Sequence, residues 1–278
     1  MSTIKSLKSP LRYPGGKTKA LKSLDQWFPD FNELREPFLG GGSVSLHLSK
    51  RYPTKPVWVN DLYYPLYNFW TILRDAGEEL SNTLLSIKNI LEDDDSKHKE
   101  LFNQAKDEIK NQDLFDAAVS FYILNKCSYS GLTENSTFSV TASQQNFSRL
   151  NISKLKGYSE LIQRWKITNK DYSELMMEPG ENVFVFLDPP YDIKDFLYGT
   201  KRELHKSFSH ERFADIVDNC PHKFMITYNV NDYITERYKD YYQQYWQLRY
   251  GMVHRKDNLK TEILITNYPT TSSLESLL

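Results

Sequence analysis

A chain of 278 residues with 40% hydrophobic and 14% aromatic content has enough apolar material for a substantial core, which excludes a disordered or low-complexity protein. Its formal net charge of -1 excludes a uniformly basic nucleic-acid binder, so any DNA partner must meet a local basic face. Two cysteines, Cys127 and Cys220, offer neither a disulfide framework nor a metal-ligand spacing, and they read as packing residues of a reducing interior. No apolar run approaches the roughly 20 residues of a membrane span and no signal-peptide pattern opens the sequence, so no membrane partner is expected and the expected location is the cytoplasm.

In chain order, residues 10–21 (PLRYPGGKTKAL) carry a Tyr-Pro-Gly-Gly-Lys turn. An aromatic ring and an ammonium joined through flexible backbone suit a small ligand. Taken alone, the segment reads as a surface turn with Lys17 in solvent, because only Gly16-Lys17-Thr18 matches the end of a phosphate-binding loop. Residues 31–38 read as a strand, 43–52 as a helix with Ser43 as its cap, and 56–60 as a second strand. Between the first strand and the helix, Gly40 to Gly42 allow a tight turn and aim helix N–H groups at a ligand. Their spacing departs from the dinucleotide fingerprint, so NAD in particular is not implied, and a glycine turn without a ligand is the alternative. Asp61 follows at the end of the second strand, about 20 residues on, where a carboxylate would bond ribose hydroxyls; it would also serve simply to open the next helix. Together the turn and the carboxylate point to an adenosine-containing cofactor.

From 62 to 126 the apolar spacing is helical, which reads as an insertion, and the acidic run Glu92 to Asp95 reads as a solvated connection within it. Residues 128–149 are polar and loop-like, and too long for an ordinary connection unless functional. Residues 166–171, 182–187, 223–228 and 261–267 are later strands, with an antiparallel hairpin from about 241 to 267. The run Val183 to Leu187 is β-branched, aromatic and uninterrupted, as in a strand covered on both faces of a parallel sheet. It ends on Asp188-Pro-Pro-Tyr191, where an open α/β sheet binds its ligands. The alternative is that the prolines stop the strand and Asp188 starts a turn.

Tyr13-Pro-Gly-Gly-Lys17, Glu36-Pro-Phe-Leu-Gly-Gly-Gly42, a helical insertion and Asp188-Pro-Pro-Tyr191, in that order, resemble the Dam-type DNA adenine-N6 methyltransferases (D12 class, alpha group). Asn60-Asp61, Asn125 to Leu132, Asp171-Tyr172 and Glu262 to Asn267 are also similar to that family, and the resemblance spans most of the chain. It implies an α/β fold: a doubly wound, mostly parallel sheet of the S-adenosylmethionine-dependent methyltransferase type, with an antiparallel C-terminal hairpin and an inserted, mainly α-helical DNA-recognition domain. The expected division is a catalytic domain of residues 1–65 and 152–278 and an inserted target-recognition domain of residues 66–151.

The resemblance implies transfer of a methyl group from S-adenosylmethionine, with no metal, to adenine N6 in a short double-stranded DNA sequence. That amino group is a poor nucleophile because its lone pair is delocalised into the ring. Asp188 and the carbonyl of Pro189 would accept its hydrogens, favour a pyramidal nitrogen and stabilise the charge that grows during in-line attack. Tyr191 would stack on the flipped-out base. Orientation of Asp188 should then matter more than basicity. Tyr13, Lys17, Asp61 and Asp188 would contact the cofactor, Phe38, Gly40 and Gly42 would shape its pocket, and Asp171 would face its adenine amino group or else cap the helix before Tyr172.

For DNA, the candidates are Tyr129, Asn135 and Arg149 in the polar segment, with Lys201 and Arg202 after the catalytic motif. Lys5, Lys8, Lys19, Lys22, Lys206, Arg255 and Lys256 are further basic candidates. Members that methylate GATC usually carry Cys-Arg where this chain has Thr133-Glu134, so GATC is not the expected site. The expected assembly is a monomer or weak dimer. A cognate restriction endonuclease encoded nearby is a candidate partner that the chemistry does not require. Competing readings are a cytosine-N4 methyltransferase, which usually has serine in place of Asp188, an RNA or amide methyltransferase, and a catalytically inactive DNA-binding paralogue.

Overall fold

The computed structural model describes residues 7–110, 113–131, 133, 136–190, 208–249 and 259–270. In chain order a 3-10 turn at Lys17–Lys19 leads into α1 (Leu21–Leu24), β1 (Glu33–Glu36), α2 (Ser43–Arg51) and β2 (Val57–Asn60). Helices α3 (Tyr64–Leu91), α4 (Asp95–Glu108), α5 (Leu114–Cys127), α6 (Val140–Asn146), α7 (Arg149–Ser153) and α8 (Leu155–Leu161) follow. Then come β3 (Trp165–Thr168), α9 (Tyr172–Met177), β4 (Val183–Leu187), α10 (His210–Asp218), β5 (Lys223–Asn229), α11 (Asp232–Arg237), β6 (Tyr242–Arg249) and β7 (Leu259–Thr266).

The strands form one sheet in the order β3-β2-β1-β4-β5-β7-β6. The first five pair in parallel, and β7 pairs antiparallel with both β5 and β6. This is the expected mixed α/β methyltransferase sheet with its C-terminal hairpin. Strand β4 shows why the sequence reads as it does: Phe184 and Phe186 pack into one hydrophobic cluster, while Val183, Val185 and Leu187 pack into the cluster on the opposite face. With all five side chains buried, no polar residue is tolerated until the strand leaves the sheet at Asp188. Truncating either phenylalanine to alanine would cost about 3–5 kcal/mol.

The first cluster continues from the sheet into the helices, through Phe69, Trp70 and Leu73 of α3 and Phe121, Tyr122 and Leu124 of α5. Helix α3 bends at Ala76, beside Gly77, where a Cβ would meet the Ser159 side chain at 2.4 Å. The acidic connection is exposed as expected: Asp94 caps α4 by accepting from Ser96 N and Lys97 N, and the exposed Asp93 pairs with the buried ammonium of Lys88.

Two expectations need correction. Ser43 does not cap α2; Gly42, in the left-handed region at φ 65°, is the capping position, and the Ser43 hydroxyl instead meets Thr18 Oγ1 at 3.0 Å. Nor is 128–149 a continuous loop. Ser139 caps α6 through Ala142 N and Ser148 caps α7 through Asn151 N, so short helices fold where a polar face outnumbers the few buried positions.

Candidate active site

The strand order reverses between β1 and β4, so the chain leaves the two strands in opposite directions and a crevice opens at their carboxyl ends. There lies a cavity of about 290 Å³, lined by residues 13–17, 36–44, 60–63, 170–172 and 188–190 with Phe208, Ser209 and Arg212.

Asn60 holds this crevice together. Its Nδ2 donates to Pro37 O at 3.2 Å and Lys170 O at 2.9 Å, and its Oδ1 accepts from Lys170 N at 2.8 Å and Thr168 Oγ1 at 2.9 Å. The ends of β1, β2 and β3 are thereby tied to one amide. Next to it, Asp61 accepts from Gly40 N at 2.9 Å through Oδ2 and from Tyr63 N at 3.0 Å through Oδ1, so it pins the glycine turn and the residue before α3 without capping that helix. Burial pushes its carboxyl up to about 6.

Gly40 and Gly42 have φ of 49° and 65°, a region that side chains enter only at a cost. A Cβ on Gly40 would lie 2.6 Å from Tyr13 Cε1. The close approach that this glycine permits is therefore that of the Tyr13 ring, while Trp70 Nε1 donates to Gly40 O at 3.1 Å.

Lys17 is not in solvent. It is 3% exposed, and its Nζ lies 2.9 Å from Asp188 Oδ1, a partner far along the chain that the local turn does not reveal. Thr227 Oγ1, from the neighbouring strand β5, donates to the same oxygen at 2.9 Å. Glu262 of β7 is buried nearby; burial pushes it up to about 7, with Asp188 adding to the effect and Lys17 opposing it. Glu36 is also buried, accepts from Ser45 N at 3.0 Å and from the Ser45 hydroxyl, and is pushed up to about 8, mainly by burial. Asp188 and Glu262 thus share the buried Lys17 ammonium, while Glu36 is raised further by Asp188 and Asp61.

Asp171 takes up the capping role that the sequence offered. It caps α9 by accepting from Ser173 N at 3.0 Å, and it lines the cavity. Arg212 grips it with two bonds of 2.8 and 3.0 Å, holding the carboxyl down at about 2. Beside it the Phe38 ring stands 5.2 Å from Tyr172 and 5.8 Å from Phe208, forming an apolar wall. Arg212, Thr227 and Phe208 were not singled out from the sequence, and Glu36 was named only as the first residue of its motif. Thr227 left one trace there, a hydroxyl inside an apolar strand.

Of the DNA candidates, Tyr129 is 68% exposed, and Arg149 is exposed with its Nε donating to Asn89 Oδ1 at 2.8 Å. Lys8, Lys19 and Lys22 are exposed. The turn carrying Tyr129 is fastened to the segment before Tyr13: Arg12 Nη1 donates to Ser128 O at 2.6 Å, and Asn125 Nδ2 donates to Arg12 O at 2.8 Å and to Gly131 O at 3.1 Å. Thr133 Oγ1 meets Tyr63 Oη at 2.9 Å. Tyr191, Asn135, Lys201 and Arg202 lie outside the described residues, as do Lys5, Glu134, Lys206, Arg255 and Lys256. Among the described residues no helix is long and apolar enough to cross a membrane, and no group of three His, Cys, Asp or Glu is arranged to hold a metal.

Residues 13–252 match the family described as D12 class N6 adenine-specific DNA methyltransferase. The type II methyltransferase M.MjaIII of Methanocaldococcus jannaschii is 28% identical over 196 residues, covering 65% of this chain and 68% of that protein. The type II methyltransferase M.CviBI of Paramecium bursaria Chlorella virus NC1A is 24% identical over 276 residues, covering 94% of this chain and all of that protein. The DNA adenine methylase of Salmonella typhi is 26% identical over 193 residues, covering 68% of this chain and 66% of that protein. With its sheet order, its cavity and a family match over most of its length, this chain belongs to the D12 class N6 adenine-specific DNA methyltransferases and is a DNA adenine methyltransferase.

Proposed function

We propose that the cavity binds S-adenosylmethionine and that Asp188 and the Pro189 carbonyl present a flipped-out adenine to it. The observation that carries this reading is the position of Asp188: it leaves the fully buried strand β4 at the cavity wall, with its carboxylate held by Lys17 and Thr227. Bound there, S-adenosylmethionine would supply a methyl group on its sulfonium and depart as the neutral thioether, and the methylated amine would release one hydrogen as a proton to solvent. Tyr13, Lys17, Phe38, Gly40, Gly42, Asp61, Asp171 and Asp188 would hold it, and the donor set fits: an apolar wall for an adenine ring and carboxylates for hydroxyl and amino hydrogens.

Asp188 and the Pro189 carbonyl accept the two hydrogens of the target amine, turning its lone pair out of conjugation and toward the methyl group. Proline fixes φ and so the direction of its carbonyl. The Lys17 ammonium offsets the cost of holding a carboxylate at a partly dry wall. Tyr191 stacks on the base, whose amine is reached only outside the duplex. The helical segment 66–151 serves as the target-recognition domain, and Tyr129, Asn135 and Arg149 in it, with Lys201 and Arg202 after the catalytic motif, bind double-stranded DNA. The type II names of two relatives support a restriction–modification setting, in which the transfer itself needs no endonuclease.

The test is methyl transfer by the purified chain to DNA, followed by nucleoside mass spectrometry. N6-methyladenine is the expected product; N4-methylcytosine would replace this reading with the cytosine alternative.

A further inference from the structure

In β5 the residues Phe224, Met225, Ile226 and Tyr228 are buried and apolar or aromatic, and Thr227 among them is fully buried as well. A hydroxyl withdrawn from water weakens a strand unless it is bonded. Two acceptors are within reach, Asp188 Oδ1 at 2.9 Å and Leu187 O at 3.5 Å. Threonine has one hydroxyl hydrogen, so the shorter bond to the charged acceptor takes it. The register Leu187↔Ile226 is what brings the residue after each into contact.

We propose that Thr227 is a positioning residue for methyl transfer, fixing the rotation of the Asp188 carboxylate from the neighbouring strand. Lys17 reaches the same oxygen from the turn after Tyr13, whereas the Thr227 hydroxyl stands one torsion from the backbone of a paired strand. The second donor thus ties the carboxylate to the sheet itself. Thr227 is not among the residues lining the cavity, and Asp188 is one of several residues assigned to the cofactor, so loss of Thr227 should slow transfer far more than it weakens binding. This inference rests on the assignment of Asp188 to the target amine.

Thr227→Val keeps shape and β-branching and removes only the donor. Single-turnover methylation by Thr227→Val should fall about 10- to 100-fold, with the dissociation constants for S-adenosylmethionine and DNA unchanged within about 2-fold, and Thr227→Ser should restore the rate; Thr227→Ala carries the same test if the valine variant does not fold. Wild-type rates in Thr227→Val alongside an inactive Asp188→Ala would overturn the role of Thr227. Parallel losses of rate and cofactor affinity, or a serine variant as slow as the valine one, would overturn it too. Near-normal turnover by Asp188→Ala would instead remove the assignment of Asp188 itself.

Discussion

Replacing Glu36 by glutamine should remove a pH dependence of stability that the wild-type fold carries from about pH 5 to about pH 8. Glu36 is 3% exposed and meets Ser45 through Oε2. Burial is the largest cause of its rise from 4.5 to about 8, Asp188 and Asp61 push the same way, and the bonds from Ser45 oppose them. The unfolded chain releases this proton near 4.5 and the folded chain keeps it to about 8, so the folded state binds more protons across that window. Stability is therefore highest at or below the lower value, falls as pH rises and levels off above the upper one. At about 1.36 kcal/mol per pH unit the loss is of the order of 5 kcal/mol, a large share of a typical domain's stability. Asp61 and Glu262, raised to about 6 and about 7, add slopes of the same sign at lower pH in both proteins. Comparison above pH 7 thus isolates Glu36. Glutamine keeps the acceptor for Ser45 and has no proton to lose. In urea unfolding followed from pH 5 to pH 9, the wild type should lose stability relative to Glu36→Gln, steadily up to about pH 8; parallel curves would refute the reasoning.

Two further perturbations bear on the cofactor cavity. Gly40→Ala places a methyl 2.6 Å from Tyr13 Cε1 at a φ of 49°, so melting should show a loss of about 1–3 kcal/mol and calorimetry at least a roughly 10-fold weaker S-adenosylmethionine affinity. Wild-type values for both would mean that Tyr13 does not shape the site. Lys17→Met keeps the buried stem and deletes the charge beside Asp188, so cofactor affinity should fall at least about 10-fold while the fold loses about 1–3 kcal/mol; unchanged binding would exclude Lys17 from the cofactor site.

What was legible in the sequence and what was not divides along physical lines. The uninterrupted run Val183 to Leu187 announced a strand covered on both faces, because burial on two faces leaves no place for alternation. The glycine turn and Asp61 were visible because a left-handed backbone and a carboxylate at a strand end are local requirements. Lys17 was misplaced in solvent because its partner Asp188 comes from a different strand, and no local spacing encodes that contact. Thr227 and Arg212 were missed for the same reason: each acts through a side chain brought near only by the sheet or by α10. The helices at Val140–Asn146 and Arg149–Ser153 were hidden by their polar composition, although Ser139 and Ser148 stood in capping positions.

The central claim is that Asp188 directs a methyl group onto adenine in one DNA sequence. Modified-base sequencing of DNA from a host without adenine methylation, expressing the wild-type chain or its Asp188→Ala form, tests it most directly. N6-methyladenine in one short recurring motif with the wild type, and none with the variant, is the predicted result. Equal adenine methylation by both forms, or soluble wild-type protein that leaves adenine unmodified, would contradict it.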